Sequence, residues 1–315
     1  MKRINKKRIE WIDICKGLGI FLVVIGHTGI AKVSQTAYDW IYSFHMPFFY
    51  MISGLVFNET KYDTFGKYIK RRLKTLIIPF FILNTILFCI AKILNLDNIQ
   101  PPMHEIFTGV LAMYFLRVLF ISEIYYFFLN KFFKTCYLKL IAVVILISLS
   151  SYINRSYHTG YLWFIMPGIH LLYYSLGNIL KNEVKTYAAK IKINSLIVLI
   201  ILSLVFSLCI ISININFIFM DIVLAISGIT TLLSIGLIIS KIPYGMIKDS
   251  ITYIGMNTLV IVAFHQIIYN GLTIITKLIE LSTIMDSGIR MISVWVILVI
   301  LCKLLNRFLP IAIGK

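Results

Sequence analysis

The chain reads as an all-α integral membrane bundle of about ten transmembrane helices with both termini cytoplasmic, and three observations predict this. Hydrophobic residues fill 59% of the 315 positions and charged residues only 14%, which leaves too few polar side chains to cover a soluble globule of this size. Apolar stretches of about 18 to 23 residues recur from end to end, the length that crosses ~30 Å of hydrocarbon. The basic residues are distributed unevenly between those stretches, which fixes an orientation.

In chain order the expected spans are residues 12–30, 40–57, 75–95, 107–129, 138–152, 162–180, 193–213, 217–239, 251–272 and 290–309. With a cytoplasmic N-terminus, the outside segments and outer span ends hold only Lys32, Arg155, Lys277 and Arg290, while Lys16, Lys92 and Arg117 lie within spans; the rest of the 30 Lys and Arg residues fall in inside segments or at inner span ends. An even number of spans is what two cytoplasmic termini require. The net charge of +17 therefore reports topology and contact with anionic lipid rather than a nucleic-acid partner. The basic N-terminus resembles the start of a signal peptide, but Asp13 and Lys16 interrupt the apolar run and no small-residue cleavage site follows, so it reads as a retained first helix. Five scattered cysteines show neither disulfide nor zinc spacing. No internal repeat or polar linker divides the chain, which is expected to be one membrane domain over residues 1–315.

The first span, WIDICKGLGIFLVVIGHTG, places Asp13, Lys16 and His27 in the membrane, where each ionisable group costs a few kcal/mol near the centre and marks a candidate site. Lys16 and His27 lie about 20° past three full helical turns from one another and ~16 Å apart in rise, so they share one face. A polar groove running between a cytoplasmic lysine and an outer histidine suits a long substrate lying across the bilayer. Alternatively, Lys16 snorkels to the interface and His27 caps the outer end.

In the second span, YSFHMPFFYMISGLVF, His45 is expected at the depth of His27 because the connecting loop is short. Pro47 suits the first turn of a helix. Ser53 and Gly54 read as close helix packing rather than as a nucleophile site. A third histidine, His265 in YIGMNTLVIVAFHQII, falls in the outer half of a late span. No pair of these histidines has metal-ligand spacing, and no metal is expected. Imidazole suits general-base work on a hydroxyl, since it takes and returns a proton near neutral pH, and His27 is the candidate base.

The cytoplasmic loop KYDTFGKYIKRRLKTLIIP offers Arg71, Arg72 and Lys74 to the phosphates of an acyl coenzyme A, through charge-assisted hydrogen bonds. The same cluster also satisfies the inside charge bias. Arg117 and Glu123 lie on leaning-apart faces of the fourth span and must find partners elsewhere in the bundle.

These motifs resemble those of the integral membrane acyltransferase family called acyltransferase-3, in particular its stand-alone branch similar to fucose O-acetylases. Its signature is a basic residue and a histidine separated by ten residues in the first helix, as in Lys16 and His27. FHMPFFYMISGLVF is similar to the family's second helix, FLRVLFISEIYYF with Glu123 to another, and YIGMNTLVIVAFHQ, with Asn257 and His265, to its late helix. The family's arginine pair three apart before a proline is matched only in part: aligned on Pro79, Arg72 takes the first place and Thr75 the second, with Lys74 beside it. The resemblance implies a multi-pass enzyme of the bacterial plasma membrane that uses acyl-CoA, such as acetyl-CoA, as donor substrate. The acceptor would be a hydroxyl of a glycan or lipid-linked sugar, acylated by this chain alone or with a separate extracellular transferase or as an oligomer. A transporter or flippase of such sugars is the competing expectation, since polar groups along a bundle also describe a substrate path.

Overall fold

The computed structural model describes residues 9–58, 62, 64–94, 104–157, 167–213, 217–243, 245–276 and 283–315, and every regular element among them is helical. The chain opens with α1 (Glu10–His27) and α2 (Gln35–Val56). A basic helix, α3 (Phe65–Arg72), runs through a π-helical turn, Leu73–Ile77, into α4 (Ile78–Ile93). The short α5 (Glu105–Thr108) leads to α6 (Tyr114–Phe132), and α7 (Cys136–Tyr157) follows. The second half comprises α8 (His170–Ile179), α9 (Lys181–Lys190), α10 (Ile193–Ile213), α11 (Ile218–Lys241), α12 (Met246–Met256), α13 (Thr258–Thr276) and α14 (Thr283–Phe308).

Among the described residues, seven helical runs are long and apolar enough to cross a membrane: Phe65–Ile93, Leu111–Phe132, Cys136–Ile153, Ile193–Ile213, Ile218–Lys241, Thr258–Thr276 and Met285–Phe308. The first helix carries three charged residues, Glu10, Asp13 and Lys16, and it packs against α2, α11, α12 and α13. Its two sides feed separate apolar cores, Ile20, Val23 and Val24 packing with α4, α13 and α14, and Ile12 and Cys15 packing with α2, α8 and α11. By contrast α7 and α10 expose Ile141, Val144, Ile145, Val198, Ile201 and Leu202, as suits helices that face lipid tails.

Four local expectations change. The segment around Arg71, Arg72 and Lys74 is helix rather than loop: the Thr64 hydroxyl caps it by accepting from the Lys67 N–H at 3.3 Å. Its wide turn absorbs Pro79, which has no N–H to return to Thr75. Pro47 lies inside α2 rather than in its first turn, because the helix starts at the Ser34 cap. The late span breaks at Asn257 into α12 and α13. The fourth span opens irregularly, and the buried Asn84 of α4 holds that segment, donating to the carbonyls of Glu105 (2.9 Å) and Ile106 (2.7 Å) and accepting from the Val110 N–H (2.7 Å). The first part of the expected span 162–180 lies outside the described residues.

Glycines set the closest helix contacts. A Cβ on Gly17 would stand 2.2 Å from the Ile251 carbonyl oxygen, and one on Gly255 1.7 Å from that of Asp13, so α1 and α12 meet backbone to backbone. Gly54 and Gly177 do the same for α2 and α8.

Candidate active site

His27 ends α1, and the chain returns through Gly29, in a left-handed conformation (φ 88°) that avoids side-chain strain. The short return sets α2 beside it, so His27 and His45 lie at the same depth, with ring centres 6.4 Å apart. From α13, His265 comes closer still, 5.0 Å between ring centres. Three imidazoles from three helices thus form one cluster, the histidine chamber.

Two further side chains hold His27. Tyr42 Oη, one turn before His45, lies 2.8 Å from His27 Nδ1, and the Gln266 side-chain amide nitrogen lies 3.0 Å from the same atom. Gln266 Oε1 is buried with no partner among the described residues. The two ends of an amide have the same shape; turned over, Oε1 would accept from Nδ1–H, satisfying the oxygen and leaving Nε2 of His27, 3.4 Å from Tyr42 Oη, as the ring's acceptor. The other two rings are pinned by their own helices. His45 Nδ1 donates to the Ile41 carbonyl at 3.0 Å, and His265 Nδ1 donates to those of Ile261 (2.9 Å) and Val262 (3.0 Å).

Below the chamber, a cavity of about 190 Å³ is lined by Lys16, Ile20 and Val23 of α1, Met46, Phe49 and Ser53 of α2, Phe115 and Leu119 of α6, and Thr258 and Val262 of α13. Lys16, Ile20 and Val23 follow the spacing of a single helix face that ends on His27, and the part of that face from Lys16 to Val23 lines the cavity. Lys16 stands at the far end, 3.7 Å from Asp13. Ser53 donates to the Phe49 carbonyl at 2.8 Å, and Gly54 beside it meets the Tyr174 backbone, so the pair belongs to helix packing.

Leu76 of the π-helical turn also lines the cavity and joins it to the basic helix. There the three candidate phosphate contacts separate: Arg71 and Lys74 are exposed, whereas Arg72 turns inward, its Nε 2.7 Å from Glu123 Oε2. Glu123 is 2% exposed, and Tyr68 shares the pair through its hydroxyl, 3.5 Å from Oε2, and its ring beneath the guanidinium. Glu123 thus has the partner its burial demanded.

Asn257 is placed away from the chamber. Its amide donates to the Tyr253 carbonyl at 2.8 Å and accepts from Asn306 at 2.6 Å, closing the break between α12 and α13. Tyr42 and Gln266 were not foreseen. Gln266 directly follows His265 in the sequence, and that adjacency was the one available signal. Among the described residues no group of three or more His, Cys, Asp or Glu side chains is placed to hold a metal ion.

No curated protein matches this chain, and neither does any solved structure. A family described as an acyltransferase domain, acyltransferase-3, matches residues 9–305. Because the match covers nearly the whole chain and the apolar helices fit repeated membrane crossings, the protein belongs to the acyltransferase-3 family and is a multi-pass membrane acyltransferase.

Proposed function

We propose that the protein transfers an acetyl or other short acyl group from cytoplasmic acyl-CoA to a hydroxyl of a cell-surface or exported glycan. The observation that carries this reading is the cavity along one face of α1, lined by Lys16 and by Leu76 of the turn that follows the basic helix, on the helix face that His27 continues. In this reading both termini are cytoplasmic, so the basic end receives the donor. Arg71 and Lys74 hold its phosphates, Lys16 attends the entering pantetheine arm, and the apolar walls accept the arm and acyl group while excluding water.

At the chamber His27 accepts the proton of the acceptor hydroxyl as the oxygen attacks the thioester carbonyl. The new C–O bond forms, the C–S bond breaks, and the proton passes from His27 to the departing sulfur, regenerating the base and giving free CoA thiol. Direct attack is favoured because Ser53, the hydroxyl of α2 on the cavity wall, donates to a backbone carbonyl rather than to a histidine.

The test uses purified protein in lipid nanodiscs, acetyl-CoA, and surface polysaccharide extracted from cells lacking this chain. The wild type should release CoA thiol and acylate the polysaccharide, and folded His27→Ala should be slower by about 10²-fold or more. Transfer by His27→Ala at the wild-type rate would sink the reading.

A further inference from the structure

The chamber contains an unmet hydrogen-bonding demand. His265 is fully buried, and its Nδ1 faces the carbonyl oxygens of Ile261 and Val262. A carbonyl can only accept, so Nδ1 carries the proton and, in the neutral ring, Nε2 is a bare acceptor. That Nε2 has no hydrogen-bond partner among the described residues. Leaving a buried acceptor unpaired carries a desolvation cost, and α13 maintains it beside the proposed base, 5.0 Å between ring centres. His45, fixed through Nδ1 to Ile41, likewise turns an accepting Nε2 edge to its surroundings. The cluster therefore holds an unpaired acceptor at His265 Nε2, and a ligand that completes it must bring a donor.

We propose that His265 Nε2 accepts a hydrogen bond from a second hydroxyl of the acceptor, adjacent to the one acylated at His27, so that the enzyme selects a vicinal diol. This rests on His27 acting on a hydroxyl, as proposed above. Neighbouring hydroxyls of a sugar ring stand closer together than the two imidazole centres, so a diol lying alongside the two rings, rather than between them, offers one hydrogen bond to each. An isolated hydroxyl would leave Nε2 unpaired, and sites built to pair with a substrate hydroxyl discriminate strongly against analogues that lack it. His265 is thus a specificity-determining binding residue.

The experiment compares two acceptor preparations in the nanodisc assay: the extracted polysaccharide, and the same material oxidised with periodate and reduced with borohydride. That treatment cleaves vicinal diols and leaves isolated hydroxyls. The wild type should prefer the intact polymer at least tenfold. His265→Leu, confirmed as folded by an unchanged unfolding temperature, should lose at least tenfold on the intact polymer and little on the cleaved one, so the preference collapses. His265→Gln, whose amide oxygen reaches toward the place of Nε2, should restore much of it. Equal use of both polymers by the wild type, or an undiminished preference in His265→Leu, would overturn the assignment and leave Nε2 as a site for water only. Absence of transfer to either polymer by the wild type would overturn the glycan reading as well, which separates the two failures.

Discussion

As the proposed base, His27 needs a fixed ring, and Gln266 and Tyr42 are the side chains in contact with it. Both reach its Nδ1, at 3.0 and 2.8 Å, and both act through His27 rather than on substrate. Replacing Gln266 by Leu should lower kcat about tenfold with KM for the acceptor nearly unchanged, because the base loses orientation while the binding surface remains. Gln266→Glu, which keeps an accepting oxygen, should retain more activity. Steady-state kinetics in nanodiscs check both, and a Gln266→Leu defect confined to KM would remove Gln266 from this role. Neither helper was legible beforehand: a glutamine or tyrosine in a span has no signature until the helix opposite is known.

At the scale of elements, α3 and α6 are joined by Arg72 and Glu123, a pair largely withdrawn from solvent and shared by Tyr68. Removing one partner strands the other, so Arg72→Met or Glu123→Leu alone should cost about 3 to 5 kcal/mol. The double replacement should be less destabilised than either single change, since no charge is left behind. Unfolding midpoints in detergent across the four proteins give the coupling, and strict additivity would show that the contact carries no energy. The contact of α1 with α12 depends on bulk rather than charge. Gly255→Val would drive a side chain into the Asp13 carbonyl and should abolish the folded, monodisperse protein in gel filtration. Sequence pattern located these helices well; α10 occupies the predicted 193–213, and α7 extends the short 138–152 to a full 22-residue helix. It misread the ends and breaks. The turn before Pro79 and the break at Asn257 depend on what packs against them, including Gly314 on Thr75 and Asn306 on Asn257.

For the whole molecule, the proposed path starts at the exposed Arg71 and Lys74, passes Lys16 and the cavity, and reaches the three clustered histidines. The proposed direction of transfer requires the basic end to face the cytoplasm. A fluorescent protein fused after Lys315 should therefore fold and fluoresce in cells, while an alkaline phosphatase fused there should be inactive; the reverse pattern would invert the bundle and with it the donor side. Polar groups arranged along a path suit a transporter equally well, and it is family membership over residues 9–305 that decides for transfer of an acyl group.

The sequence by itself determined that the protein is helical and lives in a membrane, and it placed Lys16 and His27 on one face, because span length, apolar content and the angle per residue are properties of single helices. Only the tertiary structure decided which polar residues meet. Arg72 joins Glu123 instead of standing beside Arg71 at the surface, and Gln266 reaches His27 across 239 positions of chain. The physical reason is that the rotation and depth of one helix against another are set by close contacts such as Gly17 on Ile251 and Gly54 on Tyr174. No periodicity within one helix encodes which backbone it will touch.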